Sequence, residues 1–215
     1  DHRDLHSFPT RRSSDLILTM NKLSALTYET LSWIVAFIIA IFIGFIIREY
    51  CAELYVVDGT SMYPTLNNND KLLIDKITYR FIGKPERGDV IVFHYPSDPS
   101  RDFIKRVIAL PGDTIEIANG SVLINDKCIQ EDYILDIPKT GFKKATVPPN
   151  SLFVMGDNRN NSEDSRFSDV GFVAYNLIVG RALCVFWPEI NAKKLILSKN
   201  TSIKNVEGAS HGKAD

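Results

Sequence analysis

The sequence predicts a mainly β domain held behind a single N-terminal transmembrane helix. Three observations predict this: one uninterrupted apolar run near the N-terminus, a series of short β-branched and aromatic runs after it, and turn residues between those runs. The 215 residues are 45% hydrophobic and 24% charged, with a formal net charge of -1. That balance fits one modest folded domain. It gives no support to a nucleic-acid partner, which favours a clear basic excess.

Residues 1–19 stand apart. "HSFPTRRSSDL", His6 to Leu16, has no apolar periodicity, lies upstream of Met20, and back-translates to the sense strand of a common sequencing adapter. Residues 1–19 are read as an assembly artefact or a disordered leader and kept out of fold reasoning. Residues 20–29 are expected to form a short cytoplasmic segment.

The apolar run "TLSWIVAFIIAIFIGFII", Thr30 to Ile47, carries no charge. Its length corresponds to about 27 Å as a helix, slightly under the ~30 Å hydrocarbon core of a bilayer. Glu29 and Arg48 can snorkel at its ends. A secretory signal has a shorter apolar region of about 7–15 residues. The expectation is an uncleaved anchor over residues 30–48, with Trp33 near one interface. Lys22 before it and Arg48 after it leave the positive-inside rule nearly silent on orientation.

Residues 49–188 read as the β domain, large enough for one core. "KLLIDKITY" (Lys71 to Tyr79), "DVIVFHY" (Asp89 to Tyr95) and "DFIKRVIAL" (Asp102 to Leu110) are strand candidates. "GKPERG" and "PSDPS" separate them as turns. "LPGD", Leu110 to Asp113, suits a type II turn with Gly112 at the positive-φ position. "TIEIANGSVLIN" is two alternating runs around Asn119-Gly120, a hairpin signal. "SLFVMG" and "LIVGRALCVFW" supply further strands. The tail, residues 189–215, is polar, without a core pattern, and receives no function.

The chemistry-bearing residues are unusual in what they lack. Cys51, Cys128 and Cys184 are widely spaced with no C-x-x-C pair, which argues against zinc or thioredoxin-type chemistry and leaves one disulfide open. Of the four histidines, His2 and His6 lie in the leader, His211 in the tail, and His94 in a strand with no catalytic turn near it. Yet Ser61 sits in "VDGTSMYPTL", between a glycine-containing turn and a Pro-Thr pair. A nucleophilic serine needs a base, and a neutral lysine can replace histidine. An ordinary lysine titrates near about 10.4, and burial lowers that value; a fall of ~3 pH units corresponds to about 4 kcal/mol of differential solvation.

"DFIKRVIAL" contains such a lysine. On a period of two, Lys105 shares a face with Phe103, Val107 and Ala109, while Arg106 lies among Ile104, Ile108 and Leu110. Two cations on a strand that is apolar on both faces are costly unless used or paired. "GDNRNNSEDSR", Gly156 to Arg166, offers the carboxylates of Asp157 and Asp164 to Arg106 and Arg166, and the hydroxyls of Ser162 and Ser165. Gly156 permits close backbone approach.

"GTSMYPTL", "RGDVIVF", "FIKRVIALPGD" and "MGDNRNNSEDSRF" occur in the order of the motif boxes of type I signal peptidases. The chain resembles that family from about Ile34 to Trp187, in its shorter single-anchor bacterial form. The resemblance implies a membrane-anchored serine endopeptidase with a signal-peptidase-like β catalytic domain, which removes signal peptides from exported precursors. It implies Ser61 as nucleophile, Lys105 as general base, and Ser162 as the hydroxyl that orients the lysine amine. It implies an Asp164–Arg166 ion pair, and Gly156 as the small residue leaving room beside the lysine. Arg106 and Asp157 are expected to form a second pair.

An acyl-enzyme at Ser61 is expected, with the Ser61 N–H as one oxyanion donor. Some family members place a serine hydroxyl two positions earlier; Gly59 stands there and supplies no side-chain donor. Met62 and apolar strand residues are expected to line the first substrate pocket, with the substrate extended beside Asp58 to Ser61 and Asp102 to Lys105. The implied partners are signal-peptide-bearing precursors with small residues before the cut, and membrane lipid. The implied location is the bacterial plasma membrane, with residues 49–188 on the extracytoplasmic side. No cofactor or metal is implied, and insensitivity to chelators is expected.

Three rival readings share part of this pattern. A self-cleaving repressor shares the Ser-Lys pair but carries a DNA-binding helix pair instead of an anchor. A pilin-maturing relative is a narrower variant. An inactive anchored binding module is disfavoured by intact Ser61 and Lys105.

Overall fold

A computed structural model describes residues 11–187, with side-chain surroundings from residue 27 onward except at Phe186. Expectations for residues 1–10 and for the tail after Trp187 lie outside the described residues. The chain divides after Arg48 into two compact units.

The first unit is one helix, α1 (Arg11–Ile46). It starts well before the expected boundary at Thr30. The physical reason is the absence of any Gly or Pro between Arg11 and Glu29, while Leu16, Leu18, Met20, Leu23 and Leu26 favour helix. Its apolar part, continuing through a single π turn (Ile47–Cys51), is a candidate span over Thr27–Cys51 with none of its surface buried. Phe37, Phe42 and Phe45 are all more than half exposed, as lipid-facing side chains are.

Among the described residues the second unit contains eleven strands. They are β1 (Ala52–Val56), β2 (Lys71–Asp75), β3 (Val90–Tyr95), β4 (Asp98–Ala109), β5 (Thr114–Ala118), β6 (Ser121–Ile124), β7 (Lys127–Cys128), β8 (Phe142–Thr146), β9 (Ser151–Met155), β10 (Val173–Ala174) and β11 (Ile178–Trp187). Seven form an antiparallel sheet in the order β1-β2-β11-β3-β4-β9-β10; the other four form a second sheet, β7-β6-β5-β8. The mainly β fold is therefore as expected.

The hairpin between β5 and β6 turns at Asn119 (φ 51) and Gly120 (φ 75), the positive values that a two-residue primed turn requires. At Leu110–Asp113 the Asp113 N–H donates to the Leu110 carbonyl at 3.0 Å, and Gly112 has φ 87, as a type II turn demands.

Two local expectations change. The run Lys71 to Tyr79 stops being a strand at Asp75. The Asp75 carboxylate accepts the Ile77 and Thr78 N–H groups at 2.9 and 3.1 Å and also the Thr78 hydroxyl. Those bonds satisfy the backbone locally, and a π turn, Thr78–Ile82, follows in place of the ladder. "PSDPS" is a turn only at Pro96 and Ser97; the strand resumes at Asp98.

The core between the sheets contains Ile108, Ala109, Phe153 and Met155 from the large sheet and Ile115, Ile117, Val122 and Ile124 from the small one. Burying each large apolar side chain contributes about 1.5–3 kcal/mol. β4 is the strand that this arrangement makes asymmetric. Its end from Arg106 to Ala109 pairs with β9, and Arg106 has β3 on its other side. Its start, Asp98 to Lys105, pairs with β3 alone and leaves one edge bare. β1 has a bare outer edge at the far end of the same sheet. The Tyr55 hydroxyl of β1 donates to Asp102 Oδ2 of β4 at 3.0 Å, so the sheet curls until its two bare edges face each other.

Candidate active site

Lys105 is the last residue of the bare half of β4 and Arg106 the first of the covered half. Both are buried: Lys105 is 4% exposed and Arg106 0%. Their fates diverge. Arg106 gains a carboxylate, donating from Nε and Nη2 to the two oxygens of Asp157 at 2.8 and 2.6 Å. Lys105 forms no ion pair among the described residues. Its amine lies 3.0 Å from Ser61 Oγ, 3.1 Å from the Ile104 carbonyl, and 4.9 Å from the centre of the Phe103 ring. Burial pulls its pKa from 10.5 down to about 8, against the upward pull of Asp164, Glu163 and Asp157.

Ser61 is presented by a tight excursion between β1 and β2. The excursion is pinned at its base by Val57 N–H to Asp70 O and Asn69 N–H to Val57 O, both 2.8 Å. Gly59 adopts φ 100, a conformation side chains disfavour. Its N–H is taken by Asn68 Oδ1 at 2.8 Å. The Ser61 N–H makes no hydrogen bond among the described residues, so it is open to an incoming oxygen. Met62, next in sequence, is 1% exposed and packs in the core beneath.

The loop after β9 holds that excursion in place. The Asn158 N–H donates to the Ser61 carbonyl at 3.0 Å, and its side-chain amide to the Thr60 carbonyl at 3.1 Å. Asn161 donates to the Thr60 hydroxyl at 2.9 Å. Asp164 is fully buried and well satisfied. It accepts from Arg166 Nε and Nη2 at 2.8 and 2.9 Å, from the Gly156 N–H at 3.0 Å, and from the Ser162 hydroxyl at 2.8 Å. The expected pairs Asp164–Arg166 and Arg106–Asp157 are thus both present. Ser162 reaches Asp164 rather than the Lys105 amine. Asp164 in turn acts on Lys105 through its charge, which holds the amine's pKa up against burial.

A cleft of about 410 Å³ opens where the two bare edges meet. Val57, Asp58, Ser61 and Met62 line one wall, and Asp102 to Lys105 the other, with Glu163 at its end. A hydroxyl, a buried amine that holds its proton loosely and an unused N–H therefore share one groove of strand-like shape. Such a set can pass a proton from alcohol to amine while a carbonyl is attacked.

A family model described as "Signal peptidase, peptidase S26" matches residues 30–187. The chain belongs to this family. The Signal peptidase I of Leptolyngbya laminosa is 46% identical over 149 residues, covering 66% of this chain and 72% of the relative. Signal peptidase I S of Bacillus subtilis strain 168 is 39% identical over 169 residues, 74% of this chain and 89% of the relative. A solved Signal peptidase I from Enterococcus faecalis V583 is 32% identical, with a TM-score of 0.38, over 46% of this chain and 97% of that one. Family membership makes the chain a serine peptidase.

Some residues at the site were not anticipated. Asn158 and Asn161 clamp Thr60 and Ser61, and Thr65 donates to Asp157 at 2.5 Å. Arg159 forms a buried two-pronged pair with Glu131 at 2.5 and 2.6 Å. For Asn158, Asn161 and Arg159 the signal was the density of amides and charges in "GDNRNNSEDSR"; Thr65 and Glu131 lie outside it.

At Gly156 the backbone passes close to the serine loop. A Cβ there would stand 2.5 Å from both the Ser61 carbonyl oxygen and Ser162 Cβ, and would collide with the Ser162 hydroxyl. The glycine makes room for those two residues, the nearest neighbours of that position. Gly156→Ala is expected to cost about 1–3 kcal/mol through overpacking. Displacing Ser61 by up to about 1 Å should also slow turnover, by as much as ~100-fold. Thermal melting and peptide cleavage measured on one preparation check both effects, and wild-type turnover would remove this account of the glycine.

Proposed function

We infer that this peptidase removes N-terminal signal peptides from exported precursors, with Ser61 as nucleophile and Lys105 as general base. The observation that carries the reading is the buried Lys105 amine 3.0 Å from Ser61 Oγ, with no carboxylate bound to it. Ser61 Oγ attacks the scissile carbonyl while its proton passes to Lys105 Nζ. The lysinium returns that proton to the leaving amine as the peptide bond breaks, and an ester remains on Ser61. Lys105 then deprotonates a water, which attacks the ester. The released carboxylate leaves, and the proton goes back to Ser61.

The Ser61 N–H faces the developing oxyanion. Gly59 contributes no second donor, because its N–H is already bound to Asn68. Ser162, Asp164, Arg166, Arg106 and Asp157 act as positioning residues, since none of them reaches the cleft. The substrate lies extended between the bare edges of β1 and β4, adding main-chain hydrogen bonds, with Met62 at the floor of the first side-chain pocket. The apolar helix tethers the domain to the bilayer, residues 49–188 face the extracytoplasmic side, and the tether raises the effective concentration of membrane-held precursors.

The test is cleavage of a precursor with an Ala-x-Ala site by the purified protein in detergent, with the new N-terminus sequenced. An inert protein in several detergents would end this reading in favour of a binding module.

The pH profile follows from the amine. With Lys105 titrating near about 8, roughly one molecule in ten holds it neutral at pH 7, against about one in 3,000 for an ordinary lysine. Cleavage should therefore rise about tenfold per pH unit up to about pH 8 and then level off. Unfolding returns the amine to its ordinary value of 10.5, so the unfolded chain binds more protons between about pH 8 and 10.5. The stability contribution of this group therefore rises with pH across that window. A rate that stays flat from about pH 6 to pH 9 would mean another group supplies the base.

A further inference from the structure

A second cavity, of about 270 Å³, shares no lining residue with the Ser61–Lys105 cleft. Its walls include Lys76, Arg80 and Lys84, with Tyr79, Tyr175 and Asn176, and no carboxylate lines it. Lys76 is already paired with Glu53 at 3.0 Å. Arg80 and Lys84 form no ion pair among the described residues, so two uncompensated cations converge on one space. Such convergence is repulsive until an anion fills it, and a phosphate offers several acceptor oxygens to neighbouring cations at once.

The position of the cavity narrows the choice of anion. The candidate span ends at Cys51, whose carbonyl accepts the Lys76 backbone N–H at 3.1 Å. The Arg80 guanidinium stands 5.9 Å from the centre of the Tyr50 ring. Two wall residues of the cavity thus stand against Tyr50 and Cys51, the last two residues of the candidate span.

Between Arg80 and Lys84 the chain projects Phe81 and Ile82, which are 74% and 76% exposed. The projection is held by the Asp75 bonds to Ile77 and Thr78 and by the Gly83 N–H to Thr78 O bond at 2.8 Å. An apolar tip flanked by two free cations matches the layering of a bilayer surface, acyl chain beneath phosphodiester.

We propose that this cavity binds the phosphodiester headgroup of an anionic phospholipid. Arg80 and Lys84 engage the phosphate, and Phe81 and Ile82 enter the acyl layer.

The test uses the full-length protein in a neutral detergent, titrated separately with dihexanoyl phosphatidylglycerol, dihexanoyl phosphatidylcholine and inorganic phosphate, and followed by phosphorus NMR and calorimetry. Saturable binding of the phosphatidylglycerol is expected, with both other probes much weaker. Arg80→Gln/Lys84→Gln should weaken it about 25-fold, some fivefold per cation at a membrane surface. Phe81→Ser/Ile82→Ser should weaken the lipid while leaving any phosphate binding unchanged. Both variants should cleave peptide normally in pure detergent, which establishes that they fold. In the wild type, added salt should weaken the lipid several-fold by screening.

Absence of saturable lipid binding overturns the proposal, as does a salt-independent affinity or lipid affinity unmoved by the double charge variant. Phosphate bound as tightly as lipid overturns the lipid assignment and leaves a site for a soluble phosphate.

Discussion

Ser61→Ala and Lys105→Met are each expected to reduce precursor cleavage by about four orders of magnitude or more, and the double variant to be no worse than either. The two groups act as one unit, because the hydroxyl is a weak nucleophile without the amine and the amine has nothing to deprotonate without the hydroxyl. The singles should nevertheless differ in stability. Ser61 is not in the core, and its loss should move stability by only about 0.5 kcal/mol. Lys105 carries a burial cost visible in its pKa of about 8. An apolar side chain of similar length recovers that cost, on the order of 3 kcal/mol at neutral pH. Lys105→Met should thus be inactive and more stable than wild type, with a higher melting temperature in detergent. A variant that is inactive but less stable would mean the amine supports the fold and is no poised base.

The largest loss of stability is expected at the neighbouring cation. Arg106 and Asp157 are both fully buried, and their two-pronged pair is supported on every side. Thr65 donates to Asp157, Gly88 O accepts from Arg106 Nη1 at 2.9 Å, and the Tyr133 ring lies 4.2 Å from the guanidinium. Asp157→Ala leaves the guanidinium buried without its carboxylate and should cost about 3–5 kcal/mol. For a domain of this size that lowers the melting temperature by roughly 10–15 °C. Replacing both partners together, as Arg106→Met/Asp157→Leu, should restore much of the loss, because two desolvated charges disappear along with their attraction. Calorimetry on both variants decides the matter; equal melting temperatures for wild type and Asp157→Ala would show the pair to be energetically idle.

What the sequence made legible follows the range of each interaction. The anchor, the Asn119-Gly120 hairpin and the Pro111-Gly112 turn are local, and each is written in adjacent residues. Lys105 was legible because a cation between apolar neighbours on a strand face breaks a pattern. Arg106–Asp157 was legible because a second such cation needs a carboxylate and the chain offers few in small-residue surroundings. The partner of Arg159 was not: Glu131 lies in a stretch with no periodicity. β1 also escaped notice, because "AELYV" is short, half exposed and interrupted by a glutamate. The clamps by Asn158 and Asn161 bind backbone or hydroxyl groups about a hundred residues away. Amide-to-backbone bonds of that kind leave no mark on hydropathy. The strand end at Asp75 depended on a side chain competing with the ladder, a choice that β-propensity at Ile77 and Tyr79 conceals.

The last strand among the described residues, β11, lies between β2 and β3 near the middle of the large sheet. While the C-terminal segment is still emerging from synthesis or export, that place is vacant and β2 has no neighbour on its inner side. Ser61 precedes β2 and Lys105 follows β3, so their meeting depends on β11 lying between those two strands. Such long-range closure makes maturation slow in comparison with local hairpins. A chain cut short before Ile178 is therefore expected to cleave no precursor.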